Sequence, residues 1–314
     1  MTDPSLPLAQ VHAARKRIAP LLRRTPVIAA QPALHPAIDV PLVLKLECLQ
    51  VTGSFKPRGA LAKATAMAAG ARGLITASGG NHGLGVAYAA HCLGLPAVVY
   101  LPESAPPAKA QKLRSWGAEV RIHGSVWDES NVAALQTAER EGLAYIHAFA
   151  DPEVLAGQGT LGLEVVEDAP DVDTLVVAIG GGGLIAGVAS AAKALKPDLR
   201  IIGVEPIGAP THHASRAAGE LVTLEKVETQ AGTLAPRRSE AINFAIIERL
   251  VDDIVLVSDD EMRGASRWLF SEFGLGTELS GVAALAALAT GRARGARPLA
   301  IVCGAGTDGF PPGP

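Results

Sequence analysis

The stretch "TLVVAIGGGGLIAGVASAAKAL", from Thr174 to Leu195, restricts the possible folds more than any other part of the chain. An unbroken apolar run halts at Gly180, Gly181, Gly182 and Gly183 and resumes as an alanine-rich segment of helical character. A strand that is apolar on both faces belongs in a parallel sheet with helices packed on either side. The turn between such a strand and its helix presents bare backbone amides, an arrangement that holds anions and suits phosphate best. Small residues needed only for close packing are the plainer explanation of the same loop. A membrane span is excluded despite the uncharged run from Thr174 to Ala192, because the central glycines would ruin a lipid-exposed helix.

The rest of the chain repeats this alternation of short apolar runs and alanine-rich segments. Strands are expected at Leu42 to Leu46, Gly73 to Thr76, Ala97 to Leu101, Glu119 to His123, Leu175 to Ile179, Arg200 to Val204, Ile254 to Val257 and Pro298 to Val302. Such alternation predicts an α/β fold of parallel sheets with crossover helices. With 314 residues the chain is long enough for about two domains on the scale of ~150 residues each. The strands and helices of 72–145 form a compact set that reads as a small inserted domain, leaving 1–71 and 146–314 as a large one. A net charge of -3 gives no electrostatic footprint for nucleic acid or an anionic membrane. The 3 cysteines are far apart and form no metal-type spacing, and the first residues lack a secretory apolar core, so a cytoplasmic protein is expected.

Two further glycine turns follow predicted strands. In "TASGGNHGLGVAYAAHCLG", Ser78, Gly79, Gly80, Asn81 and His82 turn the chain from strand to helix and aim free amides at the strand's carboxyl end, a grip for a carboxylate. Helix capping is the plainer account of Asn81 and His82. In "LAIVCGAGTDG" a buried strand ends at Cys303, where core packing would be the usual role. Against these stands "TGSFKPRG", in which Lys56 sits among turn-formers and beside Phe55, a setting that desolvates its amine. A neutral amine condenses with an aldehyde, and a phosphate cradle holds a cofactor bearing both groups, so pyridoxal 5'-phosphate accounts for lysine and glycines together.

A rival is present in the same residues. Gly181, Gly183 and Ala186 satisfy GxGxxA, and Glu205 closes the next predicted strand, so the dinucleotide fingerprint is formally met. That reading makes the protein a nicotinamide oxidoreductase with Glu205 on a ribose hydroxyl, and gives Lys56 no task. A metabolite-binding protein without turnover is the other alternative.

The ordered motifs "TGSFKPRGA", "SGGNHG", "AGQGTLGLE", "GGGGL", "GVEP" and "ELSGVAAL" span nearly the whole chain. Together they resemble the tryptophan synthase β-like, fold-type II pyridoxal-phosphate enzymes, within them the serine/threonine dehydratase and serine racemase branch. The resemblance implies that Lys56 holds the cofactor and takes the substrate's α-proton. It implies that the amides of Gly180 to Leu184 bind the phosphate, that Asn81 donates to the ring oxygen and that Phe55 packs near the ring. Ser78 with the amides of Gly79, Gly80, Asn81 and His82 would hold the substrate carboxylate, Cys303 would face the pyridine nitrogen, and Glu278 is a further candidate. The large domain would carry the cofactor and 72–145 the substrate loop. A homodimer or tetramer is the family's habit.

Departures from the family pattern decide between activities. Similar racemases carry a second serine directly after the one matching Ser78, as the base on the opposite face; here Gly79 stands there. The expected reaction is therefore dehydration of L-threonine or L-serine to 2-oxobutanoate or pyruvate and ammonia. A dehydratase for another β-hydroxy amino acid such as 3-hydroxyaspartate, or a serine racemase, follow as alternatives. The relatives' divalent-cation site would use Glu205 and the carbonyl of Ala209, but the next carboxylate is replaced by Thr211. That leaves a thin shell for a hard cation, which prefers six or more oxygens. The segment from Thr229 to Glu240 also departs from the family string, beside the expected substrate side chain. The chain ends near Pro314, soon after its last strand, so no isoleucine-responsive regulatory domain is expected and the enzyme reads as catabolic or unregulated.

Overall fold

The computed structural model describes residues 6–67 and 70–308. The expectation drawn from the chain's end near Pro314 lies outside the described residues. Strands are β1 (Val27–Ala29), β2 (Val43–Lys45), β3 (Leu74–Ala77), β4 (Ala97–Leu101), β5 (Ala118–Ile122), β6 (Ala144–Tyr145), β7 (Thr174–Ala178), β8 (Arg200–Pro206), β9 (Asp253–Val257) and β10 (Pro298–Ile301). Helices are α1 (Leu8–Ile18), α2 (Lys56–Met67), α3 (Asn81–Leu93), α4 (Pro107–Ser115), α5 (Trp127–Glu141), α6 (Pro152–Asp168), α7 (Gly183–Leu195), α8 (Thr211–Ala218), α9 (Ala241–Leu250), α10 (Asp259–Phe273) and α11 (Ala283–Ala289).

Two sheets result, ordered β1-β2-β10-β7-β8-β9 and β5-β4-β3-β6. Every pairing is parallel except that of β1 with β2. The central strands are apolar on both faces, β7 and β10 being buried throughout, as a sheet sandwiched between helices requires. The eight expected strands are all present, with ends shifted by a residue or two. The short β1 and β6 gave no periodic signal, being two or three residues long and placed by their partners.

This topology positions the site. β7 and β10 are parallel neighbours, with Ala300 beside Val176, so the glycine loop after β7 and Cys303 after β10 leave the sheet at the same edge. The lysine turn joins them through the isolated bridge Ser54 to Gly304 and the bond from Phe55 N to the Cys303 carbonyl, 3.3 Å. From the smaller sheet, β3 ends where the Ser78 turn begins. Helices α2 and α6 pack close enough that a side chain on Gly157 would strike the carbonyl of Arg58. The segment "AGQGTLGLE" is thus the stretch of α6 that is buried on all sides.

Candidate functional site

Phe55, Lys56, Asn81, Gly180, Gly181, Gly182, Gly183, Leu184, Glu278 and Cys303 are brought together around one cleft, with about 520 Å³ of space including its mouth. Of the Ser78 turn, Asn81 reaches the cleft wall, while Ser78, Gly79 and Gly80 are half-buried in the turn before it. His82 turns the other way: its ring is buried with Nε2 3.0 Å from the Ile146 carbonyl. Burial, and after it the nearby Lys56, holds His82 far below its ordinary value, at about 3. Only its backbone amide remains for ligand chemistry at the start of α3.

Lys56 opens α2, and its amine donates to the Ala148 carbonyl at 2.8 Å. It stands 5.2 Å from the centre of the Phe55 ring. Burial brings its pKa down to about 8, and nearby Cys303 and Glu278 offset only part of that. An uncharged fraction of amine is therefore available near neutral pH. Glu278 accepts from Asn81 Nδ2 at 2.8 Å and from Thr233 Oγ1 at 3.4 Å, which joins the two sheets' loops across the cleft. Burial raises Glu278 to about 7. Cys303 is buried, donates to the Ser280 carbonyl at 3.5 Å, and is pushed up by burial and by Glu278, so it is a thiol rather than a thiolate.

The glycine loop is a cradle that side chains would fill. A Cβ on Gly180 would lie 2.8 Å from the Thr233 carbonyl, and one on Gly183 would lie 2.5 Å from the Phe149 carbonyl. Gly182 caps α7 at φ 89°, in the left-handed region, with no side chain bonded to the helix's first amides. Those amides are left to a ligand. Arrayed beside a tuned amine, they fit a molecule with a phosphate at one end and an aldehyde at the other.

Glu205 belongs to a different structure. Its carboxylate is fully buried and accepts from the amides of His212 and His213, both at 2.8 Å, capping α8. Burial raises it to about 8. Thr211 donates to the Pro236 carbonyl at 2.7 Å. Glu205, the carbonyl of Ala209 and Thr211 do not fit a hard divalent cation, and among the described residues no cluster of three or more His, Cys, Asp or Glu side chains could hold a metal.

Several residues escaped the sequence reading. Phe149, Ala148, Gln158, Thr233 and Leu234 line the cleft; no local pattern marks Ala148 or Phe149, while Gln158 lies in the "AGQGTLGLE" motif and Thr233 and Leu234 in the segment from Thr229 to Glu240. Beneath the lysine turn, Arg58 is fully buried between Glu47 (2.8 Å) and Glu164 (2.7 Å), and Lys45 pairs with Glu164 at 2.6 Å. Arg58 and Glu164 lie within two quoted motifs, which was the available signal.

Over residues 18–304 the chain matches the family described as pyridoxal-phosphate dependent enzyme. It is similar to the L-threonine ammonia-lyase of Geobacter sulfurreducens, 43% identical over 285 residues that cover 90% of this chain and 71% of that protein. Among solved structures, a threonine deaminase from T.th. superposes with a TM-score of 0.91 at 38% identity, covering 97% of this chain and 99% of that one. Maize serine racemase does so at 0.88 and 32% identity, covering 95% and 92%. Gly181, Gly183 and Ala186 are thus not a nicotinamide fingerprint: with the lysine at the cleft, the parallel sheets and these matches, the chain belongs to the pyridoxal-phosphate dependent enzymes of fold type II, in their dehydratase branch.

Proposed function

We propose that the protein is an ammonia-lyase that removes the β-hydroxyl and the amino group of L-threonine and L-serine, giving 2-oxobutanoate or pyruvate and ammonia. Lys56 would hold pyridoxal phosphate and, released by the substrate, take up its α-proton at Nζ. The amides of Gly180 to Leu184 would receive the phosphate, Asn81 the ring oxygen, and Ser78 with the amides of Gly79 to His82 the substrate carboxylate. When bound, the cofactor supplies an electron sink for the α-carbon. Cys303, as a neutral thiol, would leave the ring nitrogen unprotonated and so limit that sink, which suits prompt loss of a β-hydroxyl over a long-lived carbanion.

The observation that carries lyase over racemase is Gly79. This turn lacks the second base, and a side chain there would meet Leu101 Cδ2 at 3.0 Å and Lys109 Cδ at 3.3 Å, so both would have to shift to admit one. Among the described residues lining the cleft, the ionisable side chains are Lys56, Glu278 and Cys303. Glu278 is held by Asn81 and Thr233 and Cys303 by the Ser280 carbonyl, which leaves Lys56 as the proposed base, and a single base supports elimination.

The same reading assigns 72–145 as a small domain carrying the substrate turn, and 1–71 with 146–314 as the large cofactor domain. It places the enzyme in the cytoplasm as a homodimer or tetramer, and it expects turnover to survive chelation of divalent cations. The deciding experiment is 2-oxo acid release from L- and D-threonine and L- and D-serine with pyridoxal phosphate supplied, alongside chiral analysis of the remaining serine. Oxo acid from the L-substrates with no D-serine is the expected result. D-serine formed at a rate comparable to pyruvate would move the assignment to racemisation.

A further inference from the structure

The glycine loop is held from behind by residues for which the proposed chemistry gives no role. The carbonyl of Gly181 accepts from Ser239 Oγ at 3.0 Å and from Asn243 Nδ2 at 2.7 Å. Asn243 Nδ2 also donates to the Phe149 carbonyl, 3.0 Å, at the residue whose backbone lies against Gly183. Ser239 and Asn243 are both fully buried, and His212 is buried beside them, its Nε2 2.7 Å from where a side chain on Gly182 would begin.

In a trans peptide the carbonyl of one residue and the N–H of the next point in opposite directions. Two donors on the Gly181 carbonyl therefore fix the plane of the 181–182 peptide and aim the Gly182 amide away from Ser239 and Asn243. A glycine peptide left unpinned is free to flip, because its two residues have access to both halves of backbone space. Pinning removes that freedom before the ligand arrives, and the entropy of ordering the loop is not charged against binding.

We propose that Asn243 and Ser239 are positioning residues of the phosphate cradle: they hold the Gly181 carbonyl so that the Gly182 amide faces the bound anion, and so set how tightly the cofactor is retained. This rests on the reading of Gly180 to Leu184 as the phosphate site. It also gives the segment around Thr229 to Glu240, which departs from the family string, a task on the cofactor side as well as the substrate side.

The test is titration of cofactor-stripped protein with pyridoxal phosphate, followed by absorbance, for wild type, Asn243→Asp, Ser239→Ala and Gly182→Ala, with inorganic phosphate as competitor. Asn243→Asp keeps the volume but loses both donated bonds, and should raise the dissociation constant on the order of tenfold. Ser239→Ala loses one, and about threefold is expected. In both variants inorganic phosphate should compete less well in proportion, a readout that a merely structural role would not move. If Asn243→Asp fails to fold, Ser239→Ala decides alone. Wild-type dissociation constants for cofactor and phosphate in the variants, with Gly182→Ala impaired, would overturn the pin and leave the phosphate loop standing. Unimpaired binding by Gly182→Ala would overturn the loop reading and the pin with it.

Discussion

Two cations lie two residues apart at the start of α2, and the protein treats them in opposite ways. Arg58 is fully buried, and its guanidinium is met by Glu47 and Glu164, with Lys45 and Thr25 completing the cluster. Burial alone lowers Arg58, but the two carboxylates more than reverse this and it stays charged. Lys56 donates to one carbonyl and lies over the Phe55 ring, with Glu278 engaged by Asn81 and Thr233 instead. Its charge is left uncompensated and its pKa falls. Similar enclosure therefore gives a fixed strut in one case and a reactive amine in the other, and the partner groups decide which. The strut also serves the amine: Arg58 ties α2 to α6 and so fixes where Lys56 emerges.

Either cation can be replaced, with opposite expected results. Lys56→Ala should abolish 2-oxo acid release, by at least about 10³-fold, together with the visible band of the bound cofactor, while the unfolding midpoint stays close to wild type. Arg58→Met should do the reverse first: Glu47 and Glu164 lose their counter-charge, and about 3–5 kcal/mol of stability goes with it, measurable by urea unfolding. Retention of wild-type stability by Arg58→Met would mean that the carboxylates re-pair with Lys45 alone.

A pH titration sharpens the contrast, since of the two only Lys56 can titrate in an accessible range. The rate at which cofactor-stripped protein captures pyridoxal phosphate should rise through about pH 8 and level off above it, as the neutral amine accumulates. The folded pKa lies below the ordinary value of 10.5, so between these two values the unfolded chain binds more protons. The cofactor-free fold should therefore gain stability as pH rises across that window. The smallest effect is expected at Cys303. Cys303→Ser keeps a neutral group opposite the proposed ring nitrogen, and turnover should stay within about threefold of wild type, measured by the same oxo acid assay.

Much of this site was legible in the residues. Lys56, Asn81 and the four glycines announced themselves because a charged or bare-backbone residue among turn-formers has few structural uses. The buried cluster under Arg58 was not legible, since a Lys, two Glu and an Arg spread from Lys45 to Glu164 look like ordinary surface residues until the fold removes the water. Glu205 shows the converse. The sequence offered it to a ribose hydroxyl or to a metal, and the structure gives it to the amides at the start of α8.

The residues alone carried the alternation of strand and helix, the strand ends at which loops could carry chemistry, and Lys56 as the candidate amine. These are local properties: periodicity, glycine turns with bare amides, and a lysine among residues that exclude water. Tertiary structure alone decided which loops meet. Asn81 reaches Glu278, the carboxylate that Thr233 also donates to, because β3 of one sheet ends facing the edge where β7 and β10 of the other end. The orientation of the Gly181 carbonyl, the shift of Lys56 and the neutral state of Cys303 all depend on groups brought from distant parts of the chain. Desolvation and hydrogen-bond direction are set by what surrounds an atom, and no stretch of sequence contains that information until the chain has folded around it.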